Sequence, residues 1–100
     1  MKKVIIIGSG FGGLSITSRL RSKGFNTTLI EKHGDLGGRA RTFSHNGYKY
    51  DAGPTVITAP YLIDELFSIH SEKLSDYVNL LPVKPWYRFL FENGEYLDYG

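Results

Sequence analysis

Glycines at positions 8, 10 and 13 and a carboxylate at position 31 are the residues whose types and spacing could do chemistry. In KVIIIGSGFGGLSI, residues 3–16, four apolar residues run into a segment where four of the next six are glycine. Bare backbone at the start of a helix offers N–H groups without intrahelical partners and a partial positive charge, which suits a phosphate. Gly8, Gly10 and Gly13 fit G-x-G-x-x-G. In that motif the first glycine permits a tight turn, the second lets a pyrophosphate approach the backbone, and the third lets helix and strand pack closely. Glu31 lies 18 residues after Gly13 (31 − 13), where a carboxylate can accept from both hydroxyls of an adenosine ribose and would repel a 2′-phosphate, so NADP is disfavoured. The alternatives are a plain strand-to-helix turn and a solvated glutamate paired with Lys32.

Positioning these groups requires particular elements. Residues 4–7 are continuously apolar and β-branched, which predicts a strand buried on both faces in a parallel sheet. From about Gly12 the apolar positions shift to helical spacing. Arg19, Arg21 and Lys23 gather late and Gly24 stands where a left-handed cap belongs. Residues 25–31, FNTTLIE, read as a second strand. A helix of about 12 residues and a strand of about 6 both span roughly 20 Å, so the second strand returns parallel to the first. Glu31 then emerges on the same edge as the glycine turn. A Glu31 turned inward onto another side chain would contradict this arrangement.

Further along, residues 41–45 and 48–51 flank Asn46-Gly47, a pair suited to the positive φ angles of a type I′ hairpin. Gly53-Pro54 breaks the backbone. Pro60 suits the first turn of a helix with Ile63, Leu66, Phe67 and His70 on one face, capped by Thr58 or, poorly, by Ala59. SEKLSDY reads as a loop or helical turn and VNLLPVKP as extended. Residues 86–92 and 95–99 form a second hairpin around Asn93-Gly94. Its alternating Tyr87, Phe89 and Phe91 read as one face of a core strand, with a hydrocarbon-binding wall or membrane-facing patch as the alternative.

The bulk composition narrows the function classes. One hundred residues, 41% hydrophobic and 22% charged, describe one small globular domain that is marginal unless its elements close around one core. The net charge of +2 comes from scattered basic residues, which argues against nucleic acid. Without cysteine there is no disulfide, thiolate nucleophile or cysteine metal site, in keeping with a cytoplasmic location. The apolar run from Val4 stops at Gly8, far short of a signal h-region or spanning helix, so the N-terminus reads as mature. His33, His45 and His70 lack a metal-binding spacing, so no metal is expected.

Gly37-Gly38-Arg39 bears on the choice between NAD and FAD. NAD-binding units usually pass from the acidic residue into further βαβ structure, whereas here HGDLGGR places a glycine pair and an arginine within one loop. Such a loop can close over a cofactor, with Arg39 offering charge-assisted hydrogen bonds to phosphate or ribose oxygens, and this favours FAD. The alternative is an exposed turn with a solvated arginine.

VIIIGSGFGGL, LIEKHGDLGGRARTF, GYKYDAGPTVIT with ELF after it, and YVNLLPVKPWYRF together resemble the N-terminal part of bacterial-type phytoene desaturases. These are FAD-dependent carotenoid desaturases of the flavin amine oxidase superfamily. The first two blocks mark the superfamily, and DAGPTVIT and LLPVKPWYR are narrower. The resemblance implies that Gly8, Gly10 and Gly13 hold the FAD pyrophosphate and Glu31 the adenosine ribose, with Phe11, Gly12 and Lys32 also among the cofactor-binding residues. It implies that Gly38 and Arg39 complete the phosphate enclosure, and that Gly53, Pro54, Thr55 and Val56 run beside the flavin ring. Ala59 departs from the acidic residue expected before Pro60.

The fold so implied is an α/β FAD-binding Rossmann-like unit over residues 1–58, followed by the start of a substrate-side region over residues 59–100. The implied chemistry removes hydrogen from carbon-carbon bonds of an apolar polyene, with peripheral membrane contact and no catalytic side chain. The family is several times longer than this chain, which alone is expected to be inactive. The alternatives are a carotenoid isomerase, ketolase or amine oxidase, a flavin-free binding protein on the same scaffold, or an inert fragment.

Overall fold

The computed structural model describes residues 2–100. Strand β1 (Lys3–Ile7) leads into helix α1 (Phe11–Ser22), and strand β2 (Asn26–Ile30) returns beside β1. The two strands pair in parallel from Lys3 opposite Asn26 to Ile7 opposite Ile30, so their C-terminal tips are level. The turn out of α1 fixes this return. Gly24 takes a positive φ of 86°, its amide bonds Arg21 O at 3.0 Å, and the Phe25 amide bonds Leu20 O at 3.1 Å. That pair of bonds is a Schellman ending, which satisfies carbonyls the helix would otherwise leave open.

The expectation for residues 4–7 needs correction. Burial alternates along β1: Ile6 is 9% exposed and faces α1, whereas Ile5 and Ile7 are 65% and 84% exposed. β2 alternates in the same way. A two-stranded sheet covered by one helix buries only one face, so an unbroken apolar run reports what the strand can tolerate rather than what these elements cover.

Strands β3 (Thr42–His45) and β4 (Tyr48–Asp51) form the first expected hairpin, with φ of 50° at Asn46 and 80° at Gly47, as a type I′ turn requires. Phe43 and Tyr50, opposite one another, stack with ring centroids 5.3 Å apart. Helix α2 (Pro60–Ser68) starts at Pro60 with Ala59 as an N-cap that makes no side-chain bond. It lies against α1: Arg19 Nη1 meets Glu65 Oε1 at 2.9 Å and Ser18 Oγ lies 3.0 Å from His70 Nε2. His70 itself follows the helix end, and residues 74–76 make a short 3-10 turn around buried Leu74.

Strands β5 (Tyr87–Leu90) and β6 (Tyr96–Tyr99) make the second hairpin. Its turn differs from the first although both carry Asn-Gly. Here Gly94 N bonds Phe91 O at 3.0 Å, Phe91 N bonds Glu95 O at 2.9 Å, and only Gly94 has a positive φ. This is a type I turn followed by a left-handed glycine bulge. Phe91 therefore belongs to the turn. Tyr87, Phe89 and Phe91 are all more than half exposed, so the core-strand reading does not describe this hairpin, which has no second layer against it among the described residues.

The radius of gyration is 17.9 Å, against roughly 13 Å for a compact domain of this length. Ile6 and Leu74 are the buried hydrophobic residues among those described, so the three small sheets share little common core. Among the described residues no helix is long and apolar enough to cross a membrane.

Candidate functional site: a glycine cradle at two strand tips

The site is built where β1 and β2 end together. Gly8 leaves β1 at a φ of 97°, its amide bonded to Ile30 O at 2.8 Å, which ties the glycine turn to the tip of β2. Gly10 caps α1 without a side chain, and the first turn of the helix carries no acidic residue. The opening amides of α1, at Phe11, Gly12 and Gly13, are thus uncapped by any side chain and free to meet an anion. Gly13 sits so close to Gly8 O that a methyl group cannot be placed there, which draws the helix onto the strand.

Glu31 stands one residue past β2 on the same edge. Its Oε1 accepts the Ser9 hydroxyl at 2.7 Å and, more loosely, the Ser9 amide at 3.3 Å. Its Oε2 accepts the Lys32 amide at 2.7 Å and the His33 amide at 3.4 Å. These donors, the Ser9 hydroxyl foremost, hold the carboxyl down to about 2 from its ordinary 4.5, so Glu31 is an anion throughout the physiological range. Glu31 does engage a side chain, Ser9, but it remains half-buried at the strand tip rather than turned into the core. One short bond reaches each oxygen. A carboxylate has about four lone-pair sites, so each oxygen retains one direction met only by a long contact, which suits two adjacent hydroxyls. Lys32 takes part through its amide. Among the described residues the ion pairs are Arg19–Glu65 and Arg88–Asp98, so its ammonium is not Glu31's partner.

The second glycine pair closes onto the first. Gly37 N donates to Ser9 O at 2.8 Å, and Gly38, at a φ of 61°, lies so near that a side-chain carbon on it would sit 2.9 Å from Gly10 Cα. Gly53 in turn presses on the Arg39 carbonyl. A cleft of about 390 Å³ results between Gly10, Phe11, Gly38, Arg39 and Pro54. A neighbouring cleft of about 660 Å³ joins Phe11 and Gly12 to Pro54 and Val56. Thr55 lines an adjoining cleft with Leu80, Leu81 and Trp86, and Val56 borders both. The structure gathers most of the residues singled out in the sequence at one edge, with Thr55 on the adjoining cleft.

Ser9 was not singled out. Ser9 occupies a variable position of the glycine motif, yet a small hydroxyl residue between two glycines, paired with an acid at the next strand tip, was a readable signal. Gly37 was read as part of a loop able to close over a cofactor, but its docking on Ser9 is long-range and left no sequence signal.

The fold and the cradle define a dinucleotide-binding unit. The chain belongs to the family of NAD(P)-binding Rossmann-like domains, which matches residues 6–72. It is 48% identical over 100 residues to a phytoene desaturase (lycopene-forming) of Pseudescherichia vulneris and 46% identical over 99 residues to its counterpart in Pantoea ananas. It is 37% identical over 97 residues to a 4,4'-diapolycopene oxygenase of a Methylomonas species. These matches take in 97–100% of the chain, which spans about a fifth of the length of each relative.

Proposed function

We propose that this chain is the FAD-binding N-terminal portion of an oxidoreductase that desaturates carbon-carbon bonds of phytoene or a related carotenoid precursor. The observation that carries it is the pairing of an uncapped glycine-lined helix start with an ionised Glu31 at the adjacent strand tip. Phosphates suit the first and ribose hydroxyls the second. FAD is preferred to NAD because the Gly37-Gly38 loop docks onto the glycine turn and Arg39 borders the resulting cleft. The cradle fits the group: side chains at Gly13, Gly38 and Gly53 would strike the backbone of Gly8, Gly10 and Arg39 and push apart the segments that form it.

When bound, the flavin supplies the acceptor for the hydrogen removed from the substrate. The protein's own part is to bind and orient. The amides of Phe11, Gly12 and Gly13 and the positive helix end neutralise phosphate charge. Glu31 accepts from the ribose, and Gly53, Pro54, Thr55 and Val56 run beside the ring. In this reading residues 1–58 serve the cofactor and residues 59–100 begin the substrate side. That is a division of role, since α2 packs on α1. In this reading the protein is cytoplasmic and meets its apolar polyene substrate at the membrane periphery.

Support for a second reading comes from the oxygenase relative, which shares this segment at 37% identity. The same cofactor unit would then serve a carotenoid oxygenase. Expressing the full-length protein in cells that accumulate phytoene separates the two. More conjugated hydrocarbons are expected, oxygenated products from a conjugated precursor would favour the second reading, and unchanged phytoene with no product from either precursor would oppose both.

A further inference from the structure

Among the described residues Ser9 is the fully buried polar side chain, with 0% of its surface exposed. It stands at the meeting point of three segments. Its hydroxyl donates to Glu31 Oε1 at 2.7 Å, its amide reaches the same oxygen at 3.3 Å, and its carbonyl accepts the Gly37 amide at 2.8 Å. Its neighbours are glycines, so no adjacent side chain can hold Glu31 in its place. A glutamate has three rotatable side-chain bonds, and a solvated one samples many rotamers. Binding two adjacent hydroxyls requires both oxygens in one fixed plane.

We infer that Ser9 is the positioning residue of the nucleotide site, its buried hydroxyl fixing the rotamer in which Glu31 presents both carboxylate oxygens to the adenosine ribose. The role rests on the FAD reading above and extends it. Ser9 does not touch the nucleotide. It acts through Glu31: its hydroxyl takes one lone pair of Oε1 in a short bond, and the other is met only by the longer contact from the Ser9 amide at 3.3 Å. The serine also couples the two glycine loops, so that the ribose end and the Gly37-Gly38 flap are set by one residue.

The test is a double-mutant cycle on the full-length protein, with FAD affinity measured by titrating the apoprotein and following flavin fluorescence. Ser9→Ala is expected to weaken FAD about tenfold, the worth of one ordinary hydrogen bond. In a Glu31→Ala background the same substitution is expected to change affinity less than twofold, because there is no carboxylate left to position. Ser9→Cys, which matches the serine in shape but has a weak S–H donor, is expected to fall between and serves where the alanine variant folds poorly. An unchanged affinity in Ser9→Ala, or an equal tenfold loss with and without Glu31, overturns the positioning role while leaving the FAD reading standing. A wild-type protein that binds no FAD overturns that reading and this role together.

Discussion

Gly13 and Gly8 touch backbone to backbone: the α-carbon of Gly13 lies against the carbonyl oxygen of Gly8 with no room for a methyl group. This contact sets the start of α1 directly over the tip of β1, and Ile6, the buried residue of β1, lies beneath it. Gly13→Ala must push helix and strand apart. In the full-length protein it is expected to cost about 1–3 kcal/mol of stability, as overpacking does, and to abolish stoichiometric flavin. Thermal melting and flavin absorbance of the purified variant check both.

Gly38 and Gly24 allow a proposed cofactor glycine to be tested against a structural one. Both have positive φ, but a side-chain carbon on Gly38 would lie 2.9 Å from Gly10 Cα, whereas one on Gly24 meets nothing within 4 Å. Gly24→Ala is expected to cost about 1–2 kcal/mol from its left-handed backbone and to leave FAD affinity unchanged. Gly38→Ala carries a similar backbone cost and also lifts the flap off the glycine turn, so FAD affinity should fall at least tenfold. Equal affinities in the two variants would remove Gly38 from the site.

Thr27 points its hydroxyl into the layer between β2 and α1, where it is buried without a hydrogen-bond partner. Thr27→Val keeps the shape and removes the unsatisfied group, so it is expected to stabilise the full-length protein by about 1 kcal/mol, read from a urea midpoint at constant slope.

Glu31 gives the fold a defined acid dependence. Its folded-state value of about 2 lies below its ordinary 4.5, so its stabilising bonds are fully present above pH 4.5 and are lost as the pH falls toward 2. Asp98 and Glu65 are held down in the same direction by Arg88 and Arg19. Glu31→Gln removes only its own share. Its stability is expected to fall less steeply than that of the wild type between pH 4.5 and 2, with unchanged steepness above pH 5 as the internal control.

The sequence was legible wherever a local device fixed the outcome. Gly24 marked the return of the chain, Asn46-Gly47 the first hairpin, and Gly8, Gly10 and Glu31 the meeting of the strand tips. Legibility ended where packing decides. Residues 4–7 suggested two buried faces, but one helix covers only one of them. Asn93-Gly94 marked a hairpin without specifying its turn, because an identical dipeptide serves a type I′ turn at Asn46 and a glycine bulge at Gly94. Ser9 passed as a spacer because its burial depends on Glu31 and Gly37, 22 and 28 residues away (31 − 9 and 37 − 9).

The central claim is that the glycine turn and Glu31 hold one FAD between them. Its most direct test is the identity of the nucleotide released by heat from the purified full-length protein and from its Glu31→Ala variant. One FAD per wild-type chain, with most of it lost from the variant, is the predicted result. NADP in its place, no nucleotide at all, or a variant that retains its full complement would contradict the account.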